Sequence, residues 1–337
     1  MEILKSEQYI SEKLNIAPVT RARLDDLKEP AVDNEMMEFI KKYNLKWNPI
    51  TKSYDCNGDV CVDEHIITNG KFPIKFGVVN GDFICYKCGL TTLEGAPQYV
   101  GKDFDCSDNI LTSLNDAPQE VGETFDCSNN GLTSLKGASI KVYGNFNCNH
   151  NKLTTLEEAP KNVGGFFNCS DNTLTSLKGA PQEVYGFYCS NNKLKSLEYA
   201  PQKIENDFDC SRNELTSLEG APQKVGGKFD CSWNALESLK GAPQKVSGEF
   251  NCSRNKLTTL EGTPQEVGGD FQSYNNNLTT LEGSPKKVGG SFYCENNKLI
   301  SLDGAPQEVF GNFACKFNPN LILPKNKPNW IKGKIID

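Results

Sequence analysis

The sequence repeats itself every 21 residues over most of its 337, and this period constrains the fold more than any other feature. From Phe104 the unit reads Phe-Asp-Cys-Ser-Asp-Asn-x-Leu-Thr-Ser-Leu-x-x-Ala-Pro-Gln-x-Val-Gly. Its cysteine recurs at Cys85, Cys106, Cys127, Cys148, Cys169, Cys189, Cys210, Cys231, Cys252, Cys294 and Cys315, with Ser273 taking the place once. Phe stands two residues before that position in all twelve units, from Phe83 to Phe313. Asn stands three after it, from Asn109 to Asn318, with Cys88 as the exception; Leu stands five and eight after it, as in Leu111 and Leu114; Val, or Ile204 once, stands fifteen after it. Such regularity predicts a solenoid. One unit buries about five apolar side chains, roughly 8–12 kcal/mol gross at about 1.5–3 kcal/mol each, against roughly 1–2 kcal/mol of backbone entropy for every residue ordered. A lone unit does not fold; stacked units do.

The alternation in Phe-x-Cys predicts a short strand with one face toward the core, and the two leucines carry the chain across the core behind it. Proline recurs on the return path in ten units, from Pro97 to Pro306. It forbids a regular helix there, so the path is expected to be extended or polyproline-like. Most units place four steps between Val and the next Phe, and the extra residue falls in stretches such as Gly164-Gly165, Gly226-Gly227 or Gly268-Gly269. Glycine there allows positive φ or a bulge. The unit between Cys169 and Cys189 has only 20 residues, losing a step through Val184-Tyr185-Gly186-Phe187; a local change in curvature is expected.

The period, with Phe104, Cys106, Asn109 and Leu111 in the L-x-L-x-x-N-x-L positions, resembles the leucine-rich repeat. The short unit and the Leu-x-x-x-Pro return resemble its bacterial effector class, the YopM and IpaH type. The combination of Phe-x-Cys-Ser-x-Asn with Leu-Thr-Ser-Leu-Glu-Gly-Ala-Pro also resembles repeat proteins of tailed phages and large DNA viruses. The resemblance covers roughly residues 58–323. It implies a horseshoe with a parallel β-sheet on the inner face, an irregular or extended outer face and a small helical N-terminal cap.

Four segments follow: 1–53, a helical cap or module; 54–82, a hairpin and degenerate capping repeat; 83–323, twelve repeats; 324–337, a C-terminal cap. Helices are predicted over residues 6–15, with Ile10 and Leu14 on one face, and over residues 33–44, with Met36, Phe39, Ile40 and Tyr43 at helical spacing. They either shield the open end of the solenoid or form a recognition module with Arg21 and Arg23 exposed. Asn57-Gly58 between strand-like flanks predicts a hairpin, leading into a repeat with Val60 and Val62 in the Phe and Cys positions and Ile67 and Phe72 in place of leucines. Beyond Asn318-Pro319-Asn320-Leu321, Trp330, Ile331 and Ile335 are placed to cover the last coil.

Fourteen cysteines would suit a secreted disulfide scaffold by count, but equivalent residues on adjacent parallel strands point the same way at roughly 4.8 Å spacing. That is poor disulfide geometry, so the ladder is expected to hold buried free thiols. Neither a signal peptide nor an apolar run of membrane-spanning length is evident; a reducing cytoplasm, of the host cell if the chain is viral, is the expected compartment. A net charge of −7 argues against nucleic acid as partner, which requires clustered Lys and Arg. Cys56, Cys61, Cys85 and Cys88 form C-x4-C and C-x2-C pairs that could offer thiolates to zinc; against this, Cys85 is a ladder position, Cys88 replaces the ladder Asn, and alternation turns Cys61 away from Val60 and Val62. His65 and His150 have no evident Cys or Asp partner for a nucleophilic triad. The recurring Asn is read as structural, its amide bonding the backbone of the adjoining turn. No cofactor is implied. No catalytic domain of the kind found in ubiquitin-ligase members of the effector class follows the repeats, so no enzyme activity is expected.

What varies is the strand face. Outward positions flanking each cysteine line a surface about 55 Å long if twelve strands stack at roughly 4.8 Å. Most are small or acidic, including Asp103, Asp105, Asp108, Asp126, Asp171, Asp209 and Asp230. Against that background the second residue after the cysteine becomes Arg212, Trp233 and Arg254 in three consecutive units. A Trp between two Arg predicts a cation–π stack and has hot-spot composition. Aromatic residues gather again at Tyr274, Tyr293 and Phe317. These eight residues, Arg212, Trp233, Arg254, Asp209, Asp230, Tyr274, Tyr293 and Phe317, are the candidates for holding a protein partner; the alternative is a solvated face with scattered decoration. The leading functional expectation is a non-catalytic binding scaffold, for instance a viral factor that holds a host protein. A structural or adhesive virion component, or sequestration of a small ligand, are the competing classes.

Overall fold

The computed structural model describes residues 27–138 and 141–337. The helix expected over residues 6–15, and with it Arg21 and Arg23, lies outside the described residues. Each unit forms one coil and contributes two short strands. Those beginning with Phe of Phe-x-Cys join a 14-stranded sheet that starts at Val60–Cys61, runs from Phe83–Ile84 to Phe313–Ala314, and ends at Ile335–Ile336. All its pairs are parallel and in register, Phe83 opposite Phe104, Phe104 opposite Phe125, and so on to Phe292 opposite Phe313. Register puts every Phe ring over the next, with centroids 5.0–5.9 Å apart from Phe83 to Phe313. These rings, the ladder cysteines and the two leucines of each coil form one continuous buried core.

Beyond the strand the N–H two residues after each cysteine still bonds the next coil, as Asp108 N does Ser128 O, but the cysteine carbonyl and the N–H of the first leucine are served by the ladder asparagine. Asn109 Nδ2 donates to Cys85 O of the preceding coil at 2.9 Å and to Cys106 O at 3.0 Å, while its Oδ1 accepts from Leu90 N at 2.9 Å. The same set recurs as far as Asn318. Where Cys88 replaces Asn, its thiol donates to Val62 O at 3.2 Å, the carbonyl that an asparagine amide would reach.

The return path is extended with turns, as expected, and part of it is regular. Two-residue strands ending in Val, such as Glu120–Val121 and Lys141–Val142, pair in parallel between coils into a second layer of sheet. That layer is split into two seven-stranded sheets, one ending at Asn162–Val163 and the next beginning at Glu183–Val184. The split falls at the 20-residue unit. Phe187 stays in register with Phe167, so the missing step is absorbed on the Val side. Tyr143 N and Gly164 N donate to Val121 O and Val142 O of the preceding coil, whereas Tyr185 N reaches Gly165 O instead. Phe166 closes the gap, 5.1 Å from the Tyr185 ring and 5.6 Å from that of Tyr188. At this unit, where a change in curvature is expected, what the structure shows is a broken outer ladder.

Of the two geometries glycine allows there, positive φ is not adopted at Gly164, Gly226 or Gly268. Glycine is required there by close approach of coils: a Cβ on Gly226 would lie 1.9 Å from Glu205 O. Positive φ occurs instead in the turn after the second leucine, where Ala221 N donates to Leu218 O at 3.0 Å around Gly220 at φ +90, the geometry of a type II turn.

At the N-terminal end, helix α1 (Asn34–Lys42) begins at Asp33, whose carboxylate accepts from Met36 N at 2.8 Å. Its Met36 and Phe39 are buried, Phe39 standing edge-on to Phe76. Strands β1 (Lys46–Asn48) and β2 (Ser53–Cys56) form the antiparallel pair. The hairpin expected at Asn57-Gly58 is therefore elsewhere: β2 pairs in parallel with Phe76–Val79, and Val60–Cys61 pairs with Phe83–Ile84. Asn57-Gly58 lies at a coil corner, because pairing with the next coil buries Tyr54 and Val60 and a local hairpin would not. At the other end Ile331 is buried, Trp330 stands edge-on to Phe313 at 5.2 Å, and Ile335 pairs with Phe313.

Candidate partner-binding face

The chain leaves each Phe-x-Cys strand through a left-handed residue. The position two after the cysteine has φ between 52° and 60° in every coil: Lys87, Asp108, Asn129, His150, Asp171, Asn191, Arg212, Trp233, Arg254, Asn275, Asn296 and Phe317. Left-handed backbone costs most residues about 1–2 kcal/mol and suits Asn and Asp. Asn and Asp fill six of the twelve places, so much of the small and acidic character of this face has a backbone cause. Arg212, Trp233 and Arg254 have no such cause.

Parallel register brings these three together. The Arg212 guanidinium lies 4.9 Å from the Trp233 ring centroid and that of Arg254 lies 4.3 Å from it, with Arg254 also 5.9 Å from Tyr274. Trp233 remains 45% exposed. Among the described residues no carboxylate forms an ion pair with either guanidinium.

Asp209 and Asp230 do not stand on this face as free carboxylates. Each turns back on its own strand end, Asp209 accepting from Ser211 N and Asp230 from Ser232 N, both at 2.9 Å. Asp230 is buried, with Asn251 Nδ2 at 3.1 Å and Lys228 Nζ, which also holds Glu249, at 3.1 Å. Burial pushes the Asp209 carboxyl above its ordinary pKa, against the pull of its Ser211 hydrogen bonds. Their recurrence in Asp-Cys-Ser reflects the turn they close, as in Asp105 with Ser107 and Asp126 with Ser128.

Tyr274, Tyr293 and Phe317 share a depression of about 560 Å³ with Gln272, Asn275, Glu295 and Asn296. Phe317 is 76% exposed. Sequence reasoning missed Glu295, whose signal is that it follows the cysteine directly where seven other coils carry Ser, as at Ser253.

The four N-terminal cysteines do not converge. Cys61 is exposed, while Cys56, Cys85 and Cys88 donate their thiols to Tyr43 O, Asp105 O and Val62 O. Among the described residues no three His, Cys, Asp or Glu side chains are grouped to hold a metal.

No family model and no curated protein sequence matches this chain. Solved structures do. A leucine-rich effector protein, YopM from Yersinia pestis, is 18% identical over 83% of this chain and 88% of its own, with a TM-score of 0.52. The functional domain of InlJ from Listeria monocytogenes, which includes a cysteine ladder, is 22% identical over 70% of this chain, with a TM-score of 0.50. The chain spans 54% of that InlJ structure. The fold is a leucine-rich-repeat solenoid. At these identities the likeness concerns fold alone. In leucine-rich-repeat terms Phe and Cys hold the two inward strand positions, and the left-handed column opens directly beyond them.

Proposed function

We propose that this leucine-rich-repeat chain is a non-catalytic scaffold that holds another protein against the outer face of its Phe-x-Cys sheet, with Arg212, Trp233 and Arg254 at the centre. The observation that supports this is their place in the left-handed column. All three incur a backbone cost that Asn would avoid, and an exposed indole returns nothing to the core. Residue choice points the same way. The chain holds only four arginines, Arg21, Arg23, Arg212 and Arg254, among its 36 basic residues, and three tryptophans; Trp47 and Trp330 pack at the ends of the core. Lysine serves for charge everywhere else in the repeats. A guanidinium lies flat on an indole and keeps its edge N–H groups free for carboxylates, which an ammonium does not.

The test compares capture of a host-cell protein by the intact chain and by Trp233→Ala, with circular dichroism as the folding control. Trp233→Ala is expected to weaken binding by about 2 kcal/mol, roughly 30-fold, while folding is unchanged. Equal capture by a variant carrying Arg212→Glu, Trp233→Ala and Arg254→Glu together would remove the column from the interface.

The finer reading, a viral factor acting on a host protein in a reducing compartment, rests on the sequence resemblance and the buried thiols. Recovery of the chain in stoichiometric amount from purified particles would replace it with a virion component. Among the described residues no helix is long and apolar enough to cross a membrane.

A further inference from the structure

Guanidinium and ring alternate across four consecutive coils, Arg212, Trp233, Arg254 and Tyr274, at 4.9, 4.3 and 5.9 Å. The next coils continue the rings without a cation. Tyr274, Tyr293 and Phe317 line the depression of about 560 Å³, and no ring contact joins these three to one another among the described residues. The space among them is open.

Two residues there are costly where they stand. Phe317 is left-handed, at φ 60, and 76% exposed, at the position where the two preceding coils use Asn275 and Asn296. Neither backbone preference nor packing selects a phenylalanine. Glu295 replaces the usual serine, and its Oε2 is buried without a hydrogen-bond partner, an arrangement that costs the desolvation of an acceptor. Burial also raises its pKa, so a cation brought alongside would favour the ionised form.

We propose that this depression is an aromatic cage for an alkylammonium group, the side-chain ammonium of a lysine on the partner protein, with Tyr274, Tyr293 and Phe317 as its walls and Glu295 as its counter-charge. Rings present their negative faces to a cation, and a compact ammonium head suits a space walled by separated rings and one carboxylate better than a planar guanidinium does. The occupant continues the alternation that Arg212 and Arg254 begin, with the cation supplied from outside. This deepens the reading of the face as protein-binding and rests on it.

The cage can be tested on the folded full chain without knowing the partner. The probes are N-acetyl-lysine N-methylamide and its neutral isostere, in which a methyl group replaces the ammonium, titrated calorimetrically and by NMR. The cation is expected to bind about tenfold more tightly than the isostere. Phe317→Asn, which installs the residue of the neighbouring coils, should abolish that binding, and Glu295→Gln should weaken it several-fold. Equal binding of the two probes, binding that survives Phe317→Asn, or no binding of the cation would each overturn the cage. Trp233→Ala separates the two readings. Loss of partner capture in that variant, with no cation binding to the intact chain, sinks the cage alone; capture that survives the triple variant of the Arg-Trp-Arg column sinks the central reading, whatever the probe does.

Discussion

Asn213 serves two coils with one amide. Its Nδ2 lies 3.0 Å from Cys189 O, 3.1 Å from Cys210 O and 3.1 Å from Ser211 O, and its Oδ1 accepts from Leu194 N at 3.0 Å. Asn213→Ala takes from Leu194 N its acceptor and leaves Cys189 O, Cys210 O and Ser211 O with only the bonds from Asn192, Asn234 and Asn191, and is expected to cost about 1–3 kcal/mol, read as a lower thermal unfolding midpoint. An unchanged midpoint would remove the amide from the account. This role was legible in the sequence because the amide recurs at one spacing and hydrophobic neighbours fix which way it points. The left-handed column was not legible. Its Asn and Asp residues read equally well as a solvated acidic face, and only the shared φ separates backbone cause from surface cause. The same ambiguity hid Asp209 and Asp230, whose carboxylates close turns rather than meet solvent.

At the scale of elements, a two-residue strand carries no alternation, so the second sheet could be read only as an extended return. Its trace in the sequence is Val at a fixed place beside Glu or Lys, with β-branching as the one strand preference available. The cysteine ladder was legible because parallel register follows from the period. Its thiols are buried, those of Cys127, Cys210 and Cys294 donating to carbonyls of the next coil at 3.2–3.3 Å. Burial holds the ladder thiols above their ordinary pKa, so the nucleophilic thiolate is scarce as well as shielded. Treatment of the native protein with a thiol reagent should therefore label Cys61, the exposed cysteine, well before the ladder, which should react only on unfolding. Adjacent ladder cysteines found disulfide-linked by non-reducing mass analysis would contradict this assignment.

For the molecule as a whole, the 20-residue coil divides the outer layer while the inner sheet and its Phe stack run through unbroken. Inserting one glycine after Tyr185 restores four steps between Val184 and Phe187. It is expected to join the two seven-stranded sheets and to raise stability by the one or two backbone hydrogen bonds regained, about 1–2 kcal/mol in thermal or denaturant unfolding. A lower midpoint would show that packing of Phe166 with Tyr185 and Tyr188 contributes more than the bonds. The left-handed column has a consequence for inheritance. Each coil contacts only its neighbours, and the column stands outside the core, so a replacement there is tolerated on the same terms in any coil. A lineage can therefore change the side chains such a chain presents one coil at a time. Recombination between whole 21-residue units keeps core and register intact, so it can move a column residue along the solenoid without passing through an unfolded ancestor.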